Sequence, residues 1–326
     1  MQKINIGIVG GAGYTGGELL RVVLRHPNAH ISFVHSTSSA GEFVSKVHAD
    51  LVGDTDLKFT AELDQNIDIL FLCVGHGDAK KFLASNPIKA GIKIIDLSQD
   101  FRLAATASLG DKHFVYGLPE LQIEKIKSAD YIANPGCFAT AIQLGLLPLA
   151  SKGLLKDVYT TGITGATGAG QGLSTTSHFS WRANNIQAYK TLQHQHLHEI
   201  EETLTTLQGN KNAELHFVPW RGDFTRGIFV TSVVSSDLSL EAIYDLYNTY
   251  YASHPFTHVS NNNIDLKQVV NTNKCLIHIE KQGNKMAIHS VIDNLLKGAV
   301  GQAVQNMNLI FGLEETTGLQ LKANYF

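Results

Sequence analysis

The feature that most constrains the fold is a glycine run wedged between an apolar stretch and an amphipathic one. Ile4-Asn5-Ile6-Gly7-Ile8-Val9 reads as a strand, and Gly10-Gly11-Ala12-Gly13-Tyr14-Thr15-Gly16 follows at once. Glu18-Leu19-Leu20-Arg21-Val22-Val23-Leu24 then takes up helical spacing. The run fits G-x-G-x-x-G counted from Gly11 and G-x-x-G-x-x-G counted from Gly10. In isolation such glycines only permit a tight turn. Between a strand and a helix they let the backbone approach a pyrophosphate and aim the helix N-terminus at it. In this setting the run points to a bound dinucleotide.

The stretches that follow repeat the alternation. A turn at His26-Pro27-Asn28 precedes a second strand, His30–His35, and apolar runs at Ile67–Val74 and Ile92–Asp96 flank a helical stretch near Asp78–Leu83. Continuous apolar strands separated by helices mean a parallel sheet covered on both faces. The second strand ends in His35-Ser36-Thr37-Ser38-Ser39-Ala40-Gly41, with no Asp or Glu to take a ribose diol. Hydroxyls such as Ser36 and Ser38 suit a 2′-phosphate, so NADP is expected ahead of NAD, although an ordinary Ser-rich turn would look the same.

From about Ala139 the pattern changes. Asp157–Thr164 reads as a strand opening into Thr164-Gly165-Ala166-Thr167-Gly168-Ala169-Gly170-Gln171-Gly172. That loop is no P-loop, because Gln171-Gly172 stands where Lys and Ser or Thr are required. It reads equally as flexible backbone beside a substrate or as plain surface. Glu214–Val218, Gly227–Ser235, Cys275–Glu280 and Lys285–Val291 are β-rich, the last two joined through Gly283-Asn284, with a helix near Leu240–Tyr251. The last helix is expected from about Asn294 to Phe311. The fold class is therefore α/β: a Rossmann-type dinucleotide-binding domain over 1–136, completed by 298–326, plus an α+β domain over 137–297 with a mostly antiparallel sheet.

At 326 residues with 44% hydrophobic content the chain can bury two cores, and its net charge of −3 gives no electrostatic case for nucleic acid or an anionic membrane. No apolar run approaches bilayer-spanning length, and the immediate apolar strand leaves no room for a signal peptide. Three cysteines argue against a disulfide framework. A soluble, cytoplasmic protein is expected.

Cys137 is the cysteine with chemistry around it. It follows the β-rich Tyr131-Ile132-Ala133 and the turn Asn134-Pro135-Gly136, and precedes a helical run over 139–147. A sulfur where a strand gives way to a helix meets unpaired N–H groups and the positive end of the helix dipole, which favour the nucleophilic thiolate. The bland reading is a small buried thiol. Cys73 and Cys275, inside apolar or alternating strands, look structural.

In Gln193-His194-Gln195-His196-Leu197-His198-Glu199 three histidines alternate and would share a face on a strand, as a metal site requires. A helix continues from there, however, and no second cluster supplies the remaining ligands, so no metal is expected. A histidine just before a helix suits acid/base work. Arg102, at the end of Asp96-Leu97-Ser98-Gln99-Asp100-Phe101-Arg102, and Arg221 and Arg226, before a strand, are candidate anion grips or ordinary ion-pair partners.

Together these segments resemble the N-acetyl-γ-glutamyl-phosphate reductase family of the aspartate-semialdehyde dehydrogenase superfamily, over nearly the whole chain. The resemblance is carried by Gly-Ala-Gly-Tyr-Thr-Gly at 11–16, Asp-Phe-Arg at 100–102, Tyr-Gly-Leu-Pro-Glu at 116–120 and Asn-Pro-Gly-Cys at 134–137. It continues through Thr-Gly-Ala-Thr-Gly-Ala-Gly at 164–170, His-x-His-x-x-Glu at 194–199, Thr-Arg-Gly-Ile at 225–228 and Asp-Asn-Leu-Leu-Lys-Gly-Ala at 293–299. It implies Cys137 as nucleophile and His196 as acid/base, with His194, Glu199, Thr164, Gly165, Arg102 and Arg226 around the substrate. It also implies Gly10, Gly13, Tyr14, Thr15, Gly16, Ser36 and Ser38 around NADP, and Asn294 near the nicotinamide. The chain departs from the family's pattern at Leu197-His198 in place of Thr-Pro, and at Asp223 and Gly75 in place of prolines. Thr37 stands where an Arg often follows the second strand.

The resemblance implies NADPH-dependent reductive dephosphorylation of an acyl phosphate through a cysteine thioester, in arginine biosynthesis, with inorganic phosphate released and a homo-oligomer (dimer or tetramer) as the working form. N-succinylglutamyl, N-acyl-aminoadipyl and aspartyl phosphates remain alternative substrates. Competing classes are a metal-dependent hydrolase using His194, His196 and His198, and a dinucleotide-sensing regulator.

Overall fold

A computed structural model describes residues 3–209 and 213–326; the parts of the expected domain ranges at 1–2 and 210–212 lie outside the described residues. The chain divides into two compact units, Met1–Pro135 with Ala299–Gln320, and Gly136–Gly298 with Leu321–Phe326.

In the first unit, strands β1 (Ile4–Val9), β2 (Ala29–His35), β3 (Phe59–Thr60), β4 (Ile69–Leu72), β5 (Lys93–Asp96), β6 (Val115–Tyr116) and β7 (Tyr131–Ala133) form one sheet. Its order is β3-β2-β1-β4-β5-β7-β6, and every neighbouring pair is parallel. The sequence explains this. Ile6, Ile8, Ile69, Leu70, Phe71, Leu72, Ile94 and Ile95 are buried with both faces covered, as parallel strands flanked by helices require. The glycine run joins β1 to α1 (Tyr14–Val23), and α2 (Asp78–Ser85) follows β4. Asp100 caps α2 from a distance, accepting the Gly77 N–H at 2.6 Å and the Lys80 N–H at 3.1 Å. Strand β6 and helix α3 (Pro119–Lys127) carry no strong periodic signal in the sequence and are set by the fold.

The second unit is built on α4 (Cys137–Ala150), which is buried from Phe138 to Ala150, as befits a helix apolar all round. Its sheet contains β8 (Asp157–Thr164), β9 (Gln187–Ala188), β10 (Glu214–Arg221), β11 (Ile228–Ser235), β12 (Thr257–Ser260), β13 (Cys275–Gln282) and β14 (Lys285–Ile292). The order is β9-β10-β8-β11-β14-β13-β12, antiparallel except at β10/β8 and β13/β12. The mostly antiparallel sheet expected from sequence is present. Ser290 donates to the Ala141 carbonyl at 2.7 Å and fixes α4 against β14. Helices α5 (His196–Leu207) and α6 (Leu240–Tyr251) complete the unit.

Two expectations about the C-terminal part are corrected. The helix expected from Asn294 starts as a π turn at Leu296–Val300 and becomes α7 (Gly301–Ile310). Asp293 causes the delay, because its carboxylate accepts the Leu295 and Leu296 N–H groups at 2.8 and 3.2 Å and its carbonyl takes Gly298 N–H at 2.9 Å. The closing residues 321–326 do not complete the first unit. They join the second, where Asn271 donates to the Lys322 carbonyl at 3.0 Å and Asn324 N–H to the Val270 carbonyl at 3.1 Å.

Candidate active site

The glycine run closes one wall of a cleft of about 610 Å³ in the first unit. Gly10 has φ +79°, and a Cβ there would lie 2.4 Å from the Cys73 carbonyl. A Cβ on Gly16 would lie 2.6 Å from Gly11 Cα, so helix and strand approach only because both are bare. Gly13 differs: nothing lies nearer to its hypothetical Cβ than the Gly10 carbonyl at 3.8 Å. It is also the N-cap of α1 and supplies no side-chain cap, so the first N–H groups of the helix are left for an anion. Ser36, Thr37 and Ser38 line the same cleft, and so does Lys81 of α2. The bare cradle fits a pyrophosphate. The hydroxyls fit a 2′-phosphate, with no carboxylate at the end of β2 to oppose it, while the Lys81 ammonium pairs at 3.3 Å with Asp78, which lines the same cleft. Tyr14 and Thr15 open α1 itself.

In the second unit Cys137 is the first residue of α4, two positions earlier than the sequence pattern places the helix. Gly136, the N-cap, is extended and caps with no side chain. Its own N–H donates to Glu199 Oε2 at 3.2 Å. Glu199 lies in the first turn of α5, buried, with its other oxygen 4.0 Å from His196 Nε2. The α5 N-terminus, carrying His196 and Glu199, is thereby tied to the backbone that presents the sulfur. Gly298 lies against the same cysteine: a Cβ there would stand 2.8 Å from Cys137 Cβ.

His194 does not share that role. Its ring is edge-on to Phe138, Tyr189 and Phe217 at 5.6, 5.7 and 5.6 Å, and its Nδ1 accepts the His196 N–H at 3.2 Å. Burial lowers its pKa to about 4, with the Lys190 charge adding to the effect, so the imidazole is neutral and carries its proton on Nε2. His198 is exposed on α5, and the helical start at His196 prevents the three histidines from sharing a face.

The arginines and the glycine-rich loop are distributed as follows. Arg102, buried, donates Nε to the Asn134 carbonyl at 2.9 Å and Nη2 to the Leu97 carbonyl at 3.0 Å, bracing the turn that leads to Cys137. Arg226 forms a two-point pair with Asp293, both contacts at 3.1 Å. Thr164 is buried, and Gly165 N–H donates to the Gly227 carbonyl at 2.9 Å. A Cβ on Gly165 would lie 2.5 Å from the Thr225 carbonyl, so the loop's first half is zipped onto 224–227 rather than loose. Asn294 accepts the Gly227 N–H at 2.7 Å and donates to Thr167 Oγ1 at 3.1 Å, which commits both ends of its amide to the protein. Cys73 lines the cleft, and burial, with the neighbouring Asp96 charge, pushes its thiol up and disfavours the thiolate.

Comparison with known proteins agrees with the two-unit fold. Residues 5–129 match the model for the semialdehyde dehydrogenase NAD binding domain, and residues 137–294 that for the semialdehyde dehydrogenase dimerisation domain. Proteins named N-acetyl-gamma-glutamyl-phosphate reductase from Bacteroides fragilis and Christiangramia forsetii are 56% and 53% identical, each covering 99% of this chain and 100% of the relative. This chain belongs to the N-acetyl-gamma-glutamyl-phosphate reductase family. The fold extends further, to aspartate semialdehyde dehydrogenase II of Vibrio cholerae, solved with ASA (TM-score 0.74, 16% identity, 96% of this chain and 99% of that one). The Candida albicans aspartate semialdehyde dehydrogenase solved with NADP is another (TM-score 0.68, 13% identity, 95% and 99%).

Within this reductase family frame, sequence reasoning missed Lys81, Gly298 and Tyr189. Lys81 sits on the helical stretch near Asp78–Leu83, to which no role was given. Gly298 stood inside the recognised Asp293–Ala299 segment without a role. Tyr189 reaches the site through packing: burial and then the Cys137 charge push its hydroxyl up, while Arg221 acts against them.

Proposed function

We propose that this protein reduces an N-acyl-γ-glutamyl phosphate, with NADPH, to the semialdehyde and inorganic phosphate, as a cytoplasmic enzyme of arginine biosynthesis. One observation carries the reading: a cysteine opens a wholly buried helix with no side chain capping it, and a His–Glu pair is tied to its N-cap. The Cys137 thiolate attacks the acyl carbon, and the bond to the phosphate oxygen breaks, leaving a thioester and inorganic phosphate. NADPH, held at the Gly10–Gly16 cradle, would supply the hydride that reduces this thioester. The resulting thiohemiacetal loses its sulfur, which regenerates the thiolate and frees the aldehyde. N–H groups at the α4 N-terminus stabilise the oxyanion that forms on the acyl oxygen, an effect worth about 3 kcal/mol per donor in other enzymes. His196 moves the proton to and from that oxygen, held by Glu199. Glu199 serves as orienter and His194 as the wall behind the imidazole.

The test runs the reaction backwards: N-acetylglutamate semialdehyde, phosphate and NADP, followed at the nicotinamide band. Reduction that requires phosphate is expected, and Cys137→Ser is expected to lower the rate about a thousandfold or more. Full phosphate-dependent turnover by that variant would sink the scheme.

We also propose a homo-oligomer assembled through the second unit. The relevant family model is described as a dimerisation domain, and one face of this unit's sheet carries exposed aromatic groups. Tyr159, 59% exposed, stacks on His216 at 4.8 Å, and Trp220 donates to Thr161 Oγ1 at 3.0 Å on that face.

A further inference from the structure

Among the described residues, two guanidinium groups of the second unit, those of Arg182 and Arg221, make no ion pair with an acid. Arg182, at the end of the single turn Phe179–Arg182, is 7% exposed. Its Nη1 donates to the carbonyls of Arg221 and Gly222, at 3.2 and 3.4 Å. Its Nε and Nη2 are buried with no hydrogen-bond partner. These two atoms form one edge of the guanidinium, the edge that takes both oxygens of a carboxylate in parallel. Arg221 lies over the Tyr189 ring at 4.7 Å, and its Nε is likewise buried without a partner. Among the described residues no carboxylate makes an ion pair with either, and the adjacent Asp223 accepts the Asn184 N–H instead. A buried, unpaired guanidinium is strongly disfavoured unless a ligand completes it.

The pair stands near the chemistry. Tyr189 packs against His194 and against Arg221, and its hydroxyl responds to the charge on Cys137. Gly222 N–H donates to the Thr164 carbonyl at 2.9 Å, at the root of the glycine-rich loop. Arg226, by contrast, already has Asp293. We propose that Arg182, with Arg221 beside it, is the subsite that grips a carboxylate of the acyl-phosphate substrate and so sets its specificity. This rests on the reductase reading above. The carboxylate is either the α-carboxylate of the glutamyl unit or one that ends its N-acyl group; the chemistry of the grip is the same. Residues 171–181 lead into Arg182 and are the segment whose movement would open a way to it. Apart from Thr176 they are exposed, and the hydrogen bonds of Ser174–Trp181 are all local, the mark of a segment that opens at little cost.

The test measures kcat/KM in the reverse direction for wild type, Arg182→Met and Arg182→Lys, on three semialdehydes: N-acetylglutamate, N-succinylglutamate, and the α-carboxamide of the N-acetyl compound. If the α-carboxylate is held, Arg182→Met loses about 100-fold on the first two and nothing on the carboxamide. If the acyl carboxylate is held, the loss falls on the succinyl compound alone. Arg182→Lys recovers part of either loss, since it keeps charge without the fork. A uniform loss on all three, or none on any, overturns the subsite. Calorimetry of N-acetylglutamate and N-succinylglutamate binding to wild type and Arg182→Met separates the two ideas. Absent turnover by wild type on every substrate sinks the reductase reading, whereas equal binding of both acids by both proteins sinks the subsite alone.

Discussion

His194 shows how one buried ring supports another at the residue scale. Its neutral imidazole, walled by Phe138, Tyr189 and Phe217, accepts the N–H of His196 and fixes where α5 begins. Burial depresses its pKa from 6.5 to about 4. Between those values the unfolded chain takes up a proton that the folded chain refuses. The stability this site provides is therefore full above pH 6.5 and is lost as pH falls toward 4. His194→Asn keeps an acceptor for the His196 N–H and removes the titration. Its stability deficit relative to wild type is expected to shrink by about 2 kcal/mol between pH 7 and pH 4.5, read from urea unfolding at each pH. A deficit that stays constant would show that the ring titrates normally. From sequence, His194 and His196 were told apart only by family resemblance, since both precede the same helix. The cage that separates them comes from Phe138, Tyr189 and Phe217, and a scan of neighbours along the chain has no access to that. Arg182 was missed for a related reason: its contacts, Arg221 and Gly222, are 39 and 40 positions away.

Helix α4 illustrates the same limit for an element. Its start was legible to within two residues, because Asn134-Pro135-Gly136 is local turn chemistry. Its end was not: the sequence pattern stops at Leu147, before Pro148, yet the helix runs to Ala150. Proline at 148 leaves the Leu144 carbonyl without its usual donor four residues on and pushes the turn apart. Two tyrosines of α6 repair it. Tyr251 donates its hydroxyl to the Leu144 carbonyl, and Tyr247 donates to the Gly145 carbonyl at 2.6 Å. Tyr251→Phe is expected to cost about 1–3 kcal/mol, because it orphans a buried carbonyl. In a Pro148→Ala background the restored N–H takes that carbonyl, so the cost of Tyr251→Phe should fall below about 1 kcal/mol. The double-mutant cycle by urea denaturation decides it, and equal costs in both backgrounds would refute the repair.

For the molecule as a whole, what could be read from sequence follows from whether its connections repeat one local pattern. The first unit alternates strand and helix, and right-handed crossovers turn that alternation into a parallel sheet with a glycine cradle even where β1 pairs with β4, more than sixty residues on. The second unit pairs β8 with β10 and β11, strands more than fifty residues further on, so β8, β10, β11, β13 and β14 were recognisable while β9, β12 and the strand order were not. The consequence concerns its outward face. Along β8 the residues Val158, Thr160 and Thr164 are buried, while Tyr159 and Thr161 face the other way with His216. A stable pair of copies needs about 1,200–2,000 Å² of buried surface, and a sheet face bearing Tyr159, His216 and Trp220 is suited to supply part of it. Tyr159→Glu places a charge at that face without touching the inner one. Light scattering is expected to give a multiple of the 35.5 kDa chain mass for wild type and a smaller multiple for the variant, with unchanged far-UV circular dichroism. A wild-type monomer would overturn the assembly, and a variant that keeps the full assembly would place the contact elsewhere.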